Sequence, residues 1–420
     1  MEILSTGEKI KRARIYKGIT LKELCGKEIS ISKMSCIENG KVKPDEEILR
    51  YIADIIQLDY SYLAKDIYEQ IIENMKIFDE EAKTDSNIEN DIQLNLEYAI
   101  DYEYYELAFD LIHRLFNYYL RGKKLDEILE LVPKYYDLYR RNNTDENTII
   151  YFKDMANYLY SSKEYSEARN YYNRVLEILI DKNDTKNELY PYMSYREGMC
   201  LLRCEEYDEA EKYLTIAKEN SDNIESDDLK GKIYYATSLI SILNNREGKA
   251  DYLSKSYEFL NNNNIRIAES KIDYADAYFR VNEDEKALNE INEVVDLLPQ
   301  EQLYDVGSLY VKGARLLKKN NKLDLADEFA DKALNIAIET NHIELIEEAY
   351  YLKGMLLQMQ ERYREAELYM NLSLDSLVKF GTKKDLYSRY IDMANMYHKT
   401  KSVQDSIKYF TLAMNIKRKI

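Results

Sequence analysis

Ala156-Asn-Tyr-Leu-Tyr-Ser-Ser-Lys-Glu-Tyr165-Ser-Glu-Ala168 decides the fold, because its two alanines recur along the rest of the chain. The second returns as Ala210, Ala250, Ala287, Ala326 and Ala366, with Ser406 closing the series, at steps of 42, 40, 37, 39, 40 and 40 residues. Twelve positions before each stands another small residue: Ala156, Gly198, Ser238, Ala275, Ala314, Gly354 and Ala394. Helices whose axes approach to about 8–10 Å leave no room for a large side chain at their crossing. Small residues at every such position therefore define helix pairs stacked in register. Tyr165, Tyr207 and Tyr363 open second helices, and Tyr278 and Tyr397 fall in the middle of first ones.

The spacing of these small residues is similar to the tetratricopeptide-repeat (TPR) pattern, with a period near 40 in place of about 34, which implies longer helices. The expected fold is all-α: seven TPR helix pairs over residues 146–420, wound as a right-handed superhelix. Composition agrees, since 4 prolines and 12 glycines in 420 residues leave few helix breakers. The 41 tyrosines and no tryptophan suit helix packing in which the ring is buried and the hydroxyl stays wet. Residues 65–145 read as a helical linker and degenerate cap, with helices over 67–82, 88–100, 104–121 and 125–141, the last kinked at Pro133. No apolar run approaches the ~18 residues a membrane span needs, and four scattered cysteines fit a reducing cytoplasm. Cys200 and Cys204, one turn apart without a second ligand pair, read as buried small side chains, so no metal or other cofactor is expected.

Charge separates a head from this body. Net charge is -18, yet residues 1–43 hold ten Lys/Arg against five acids. A basic head on an acidic body points to nucleic acid at one end only. Residues 1–64 read as four short helices. Ser5-Thr-Gly-Glu8 and Thr20-Leu-Lys-Glu23 are capping boxes, and Gly40 ends a third helix that turns Met34 and Ile37 inward. Pro44-Asp45 opens a fourth, with Ile48, Ile52 and Ile55 as its apolar stripe. The stretch Thr20-Leu-Lys-Glu-Leu-Cys, Ile29-Ser-Ile-Ser-Lys-Met-Ser-Cys-Ile-Glu-Asn-Gly-Lys41 and Pro44 resembles the phage-repressor-like (Cro/C1, XRE) helix-turn-helix family. The turn before the third helix is a residue shorter than usual, and Gly26 takes it over. By position, Ile31, Ser32, Ser35 and Cys36 would face base edges of double-stranded DNA. Thr20, Lys22, Lys33, Asn39, Lys41 and Lys43 would lie near phosphates. The resemblance implies a dimer on a palindromic operator.

First helices of such an array line a concave wall suited to an extended peptide. By register that wall presents Asn157, Tyr160, Tyr195, Tyr235, Asp276, Arg315, Gln358 and Asn395, with Lys153 and Lys318 among their neighbours. Amides between tyrosine platforms match the needs of backbone recognition. The alternative location for a ligand is between the array and residues 65–145. A repressor-type head on such repeats resembles the peptide-responsive quorum-sensing regulators grouped as RRNPP (Rap, Rgg, NprR, PlcR, PrgX), in their clostridial RstA-like branch. That implies a cytoplasmic homodimer whose promoter binding is set by a short signalling peptide, with sporulation, toxin or virulence genes as targets. An adaptor that sequesters or regulates a partner protein is the competing function. Catalysis is not expected: there is no P-loop, G-x-G-x-x-G, H-E-x-x-H or G-x-S-x-G, and His113, His342 and His398 lie on separate helices.

Overall fold

The computed structural model describes residues 3–81, 88–245, 249–260, 263–299 and 301–418, and every regular element among them is helical. The chain divides into two compact units, Met1–Asn183 and Asp184–Ile420.

The first unit opens with α1 (Thr6–Tyr16), α2 (Leu21–Cys25), α3 (Ile31–Glu38), α4 (Glu46–Ile56) and α5 (Tyr60–Ala64). Both expected capping boxes are present: Ser5 and Glu8 exchange bonds at the start of α1, and Thr20 and Glu23 at the start of α2. Gly26 ends α2 at φ +53°, and a Cβ there would strike the Tyr51 hydroxyl, so this turn admits only glycine. Leu24, Met34, Ile37, Ile52 and Leu63 close a small core. The buried stripe of α4 is Leu49, Ile52, Ala53 and Ile56; Ile48 and Ile55 flank it half-buried, a shift of one position from the expected stripe. The fifth helix, capped by Asp59, adds to the four that the sequence predicts; five residues are too few to show a period.

α6 (Ile67–Glu81), α7 (Ile88–Asp101), α8 (Tyr105–Arg121) and α9 (Leu125–Arg141) follow. Position 82, the expected end of α6, lies outside the described residues. Pro133 sits inside a continuous α9. The head is seated on this segment: Ile3 is buried with Ile67, Ile71 and Met75, and Gln70 exchanges two bonds with the Leu4 backbone, at 3.2 and 2.9 Å. Lys9, also buried, donates to the carbonyls of Tyr62 and Lys65 at 2.8 and 2.7 Å.

The helix pairs begin with α10 (Asp145–Ser161) on α11 (Tyr165–Asp181), still in the first unit. The second unit holds α12 (Leu189–Arg203) on α13 (Tyr207–Glu219), α14 (Asp227–Leu243) on α15 (Lys249–Phe259), and α16 (Asn264–Arg280) on α17 (Asp284–Leu297). It continues with α18 (Leu303–Lys319) on α19 (Leu323–Thr340), α20 (Ile343–Met359) on α21 (Tyr363–Leu377), and α22 (Lys383–Lys399) on α23 (Val403–Lys417). The small residues mark the crossings. A Cβ on Gly198 would meet Leu214, and one on Gly354 would meet Met370, each four residues past the partner alanine. In the last pair the Ser406 hydroxyl donates to the Ala394 carbonyl at 3.0 Å. The Ala250 side chain lies outside those described.

Candidate nucleic-acid interface and ligand clefts

α3 turns Met34 and Ile37 into the head core and Ile31, Ser32 and Lys33 to solvent, with Ser35 and Cys36 half-buried. Its N-cap is Ser30, whose hydroxyl accepts the Lys33 N–H at 3.2 Å. The Asn39 amide donates to the Ser35 carbonyl at 2.8 Å. Lys41 and Val42 both donate backbone N–H groups to the Cys36 carbonyl, at 2.8 and 3.3 Å, which fixes the turn after α3. Lys22, Lys41 and Lys43 are exposed and have no ion-pair partner among the described residues; Lys33 reaches Asp45 at 3.6 Å. The Thr20 hydroxyl is engaged by Glu23. What sequence reasoning missed is the tie beneath this face. Arg14 of α1 grips Glu38 of α3 through two bonds of 2.6 and 3.0 Å and donates to the Ile19 carbonyl at 3.0 Å.

The residues expected to bind a peptide fall on both units. In the first, Asn157 is half-buried and accepts the Tyr172 hydroxyl at 2.7 Å, while Tyr160 makes an edge contact with Tyr165. In the second, Tyr195 is buried and Asn395 exposed. Tyr235 donates to Asp273 at 2.6 Å; burial first, then that carboxylate, push its phenol well above the usual value, so it remains a donor. Asp276 is held by Arg280 and Lys319, both at 2.9 Å, and Lys312 reaches Asp273 at 2.8 Å. Arg315 is exposed and stands 3.4 Å from Glu348; Gln358 is half-buried with its amide 3.9 Å from the Met355 sulfur. Successive first helices of this unit are thus laced to one another by their own polar groups. The cleft between α12, α14 and α16 that includes Tyr235 and Asp276 is small, about 150 Å³.

A larger cleft, about 770 Å³, opens in the first unit among α6, α7, α8 and α10. The buried Phe78, Ile88 and Ile92 back it from the core, and Arg114, Arg121 and Lys153 give it cations. At its floor His113 Nδ1 and the Tyr135 hydroxyl meet the fully buried Asp154 carboxylate at 2.5 and 2.8 Å, and the Asn117 amide lies 3.3 Å from the other carboxylate oxygen. Burial raises the pKa of Asp110 in the same wall, Arg114 and His113 opposing the shift. Among the described residues no group of three or more His, Cys, Asp or Glu is placed to hold a metal ion, and no helix is long and apolar enough to cross a membrane.

No family model and no curated protein matches the chain. Among solved structures it is similar to Rap, PlcR and NprR proteins, quorum-sensing regulators of the RRNPP group. The apo form of RapI is 12% identical, with 74% of this chain and 98% of that one covered at a TM-score of 0.43. Bacillus thuringiensis PlcR, solved in complex with the peptide PapR7 and DNA, is 16% identical over 95% of this chain and 98% of its own, at a TM-score of 0.29. The apo form of the quorum sensor NprR from B. thuringiensis is 13% identical over 73% and 97%, at a TM-score of 0.36. The helix pairs and the head described above define the fold independently of these remote likenesses.

Proposed function

We propose that the protein is a non-enzymatic, DNA-binding transcription regulator whose operator affinity is set by a short peptide held by its helical repeats. The observation that carries this reading is the α3 face: exposed Ile31 and Ser32, flanked by the unpaired Lys22, Lys41 and Lys43, on a head that is basic while the chain is acidic. Phosphate contacts through lysines position such a helix and make binding salt-dependent. Replacing Lys41 and Lys43 together with alanine should weaken binding to every DNA sequence alike. It should also reduce the slope of log affinity against log salt by about 1.8, since each phosphate neutralised contributes about 0.9. Fluorescence anisotropy on a DNA site selected from random duplexes measures this; an unchanged slope in the double variant removes α3's flank from the interface. The small side chains on the outer face favour a second reading, a protein-docking adaptor, because they offer little bidentate base recognition. Salt-insensitive or absent DNA binding by the wild-type chain would select it.

The regulator acts as a homodimer through its last helix. Of the apolar residues near the C-terminus, Tyr409 is turned inward, stacked on Tyr397 at 5.4 Å between ring centroids. Val403, Ile407 and Phe410 are 66, 61 and 52% exposed at helical spacing along α23. Ile407→Glu combined with Phe410→Glu should convert a dimer to a monomer in light scattering at micromolar concentration. A wild-type monomer, or a variant that stays dimeric, would place the interface elsewhere or abolish it.

A further inference from the structure

We propose that the cleft of the first unit binds the C-terminal end of a short peptide, its free carboxylate among the cations. This rests on the peptide-regulator reading above and gives it a site and a chemistry.

Several cations on the first helices of the second unit are already paired. Lys312, Lys319 and Arg315 each meet a carboxylate of a neighbouring helix, so a ligand there displaces ion pairs already made. In the first-unit cleft Arg121 and Lys153 have no ion-pair partner among the described residues, although they line the same cavity from α8 and α10. Lys124 beside them is paired with Glu89 at 2.6 Å and does not add to the unspent charge. Burial raises the pKa of Asp110, the acid in the wall, and Arg114 and His113 oppose that shift. Two unspent cations facing a concave space raise the local concentration of anions and hold one when it enters.

The rest of the cavity restricts what the anion is attached to. Phe78, Ile88 and Ile92 back the cavity from the core and are 2, 4 and 3% exposed, so its size and its cations select the ligand. A volume of about 770 Å³ lies in the range of sites that enclose a ligand of drug-like size, and the whole of an extended longer peptide does not fit inside it. A carboxylate with one or two residues attached fills it, with the remaining chain leading out. The floor is preorganised for a polar end: the buried Asp154 carboxylate fixes His113 and Asn117, which also line the cleft, so neither reorients when a ligand arrives.

The test uses the full chain and a pool of random pentapeptides ending in leucine, offered as free acids or as C-terminal amides, with retention read by mass spectrometry and the best sequence titrated by calorimetry. Free acids should be retained about tenfold or more over amides, a difference of about 1.4 kcal/mol. Lys153→Ala and Arg121→Ala should each weaken the free acid about tenfold and leave the amide unchanged, with unaltered melting curves. Arg315→Ala, in the second unit, should have no effect on either. Retention of acids and amides alike, insensitive to Lys153→Ala, would overturn the cleft while leaving a peptide-bound regulator standing. Binding lost only in Arg315→Ala would move the site to the second unit. Calorimetric binding of millimolar inorganic phosphate with retention of no peptide would show that the anion is not a peptide carboxylate, and no binding of any probe would overturn the site.

Discussion

Glu38→Ala should destabilise the DNA-reading helices by about 3–5 kcal/mol and abolish operator binding, because it strands a shielded guanidinium. The Arg14 and Glu38 side chains are only 15 and 5% exposed, and their two hydrogen bonds fasten α1 to α3. The helices themselves approach closely, since a Cβ on Gly7 would meet the Ile37 and Glu38 carbonyl oxygens. The Glu38 bond also raises the pKa of Arg14, which keeps the cation charged whatever the pH. Arg14 cannot neutralise itself to escape the penalty. Glu38→Gln keeps an oxygen acceptor and should lose less, about 1–3 kcal/mol. Hydrogen exchange of amides in α1, α2 and α3 measures the effect directly, with DNA anisotropy alongside. Protection in Glu38→Ala within 1 kcal/mol of wild type, on the order of a surface substitution, would show that the pair is decorative.

That pair also shows where a sequence stops being legible. Arg14 and Glu38 stand 24 positions apart in a head full of charges, and each alone reads as a solvated side chain. Local signals fared better. Ser5 with Glu8 and Thr20 with Glu23 announce helix starts because the capping bonds span three residues. The repeat pairs were readable for the same kind of reason, since a helix crossing imposes smallness at one position whatever surrounds it. Their turns were not. Lys163, Glu205, Asn282, Asn321, Glu361 and Lys401 all adopt positive φ, between 58 and 66°, five residues before the small residue of the second helix. The next residue's N–H then reaches back six to one, as Glu164 to the Leu159 carbonyl at 2.9 Å and Lys322 to Leu317 at 2.9 Å. Glycine is the usual occupant of that left-handed position. Here lysine, glutamate and asparagine hold it, at about 1–2 kcal/mol each for a non-glycine residue, so a search for glycine stops finds nothing. The first-unit cleft was legible only as a place, between the array and residues 65–145: its lining needs α6, α7, α8 and α10 assembled, and its floor joins His113 to Asp154 across 41 positions.

Asp154→Ala should cost the first unit about 3–5 kcal/mol, since it removes the acceptor of three side chains at once. Asp154 is fully buried, and its carboxylate takes the Tyr135 hydroxyl at 2.8 Å, His113 Nδ1 at 2.5 Å and the Asn117 amide at 3.3 Å. Burial, then the Asp154 charge, push the Tyr135 phenol far above its ordinary pKa, so it stays protonated and must donate to something. Without Asp154 that buried hydroxyl has no acceptor, and the ring cannot turn away because Phe109, Phe116 and Tyr151 pack it on three sides, at 5.5, 5.3 and 5.1 Å between centroids. Tyr135→Phe alone removes a donor while leaving Asp154 two others, and should cost only about 0.5–1.5 kcal/mol. The two substitutions must then be non-additive: once Asp154 is alanine, removing the Tyr135 hydroxyl relieves an unsatisfied group. The double variant should be more stable than the sum of the single ones by about 1–3 kcal/mol, within the range for residues of one hydrogen-bonded network. Denaturant unfolding followed by tyrosine fluorescence yields all four corners of the cycle. Strict additivity would mean that water replaces the carboxylate in the single variant, and that the floor of the cleft is wetter and less rigid than these contacts imply.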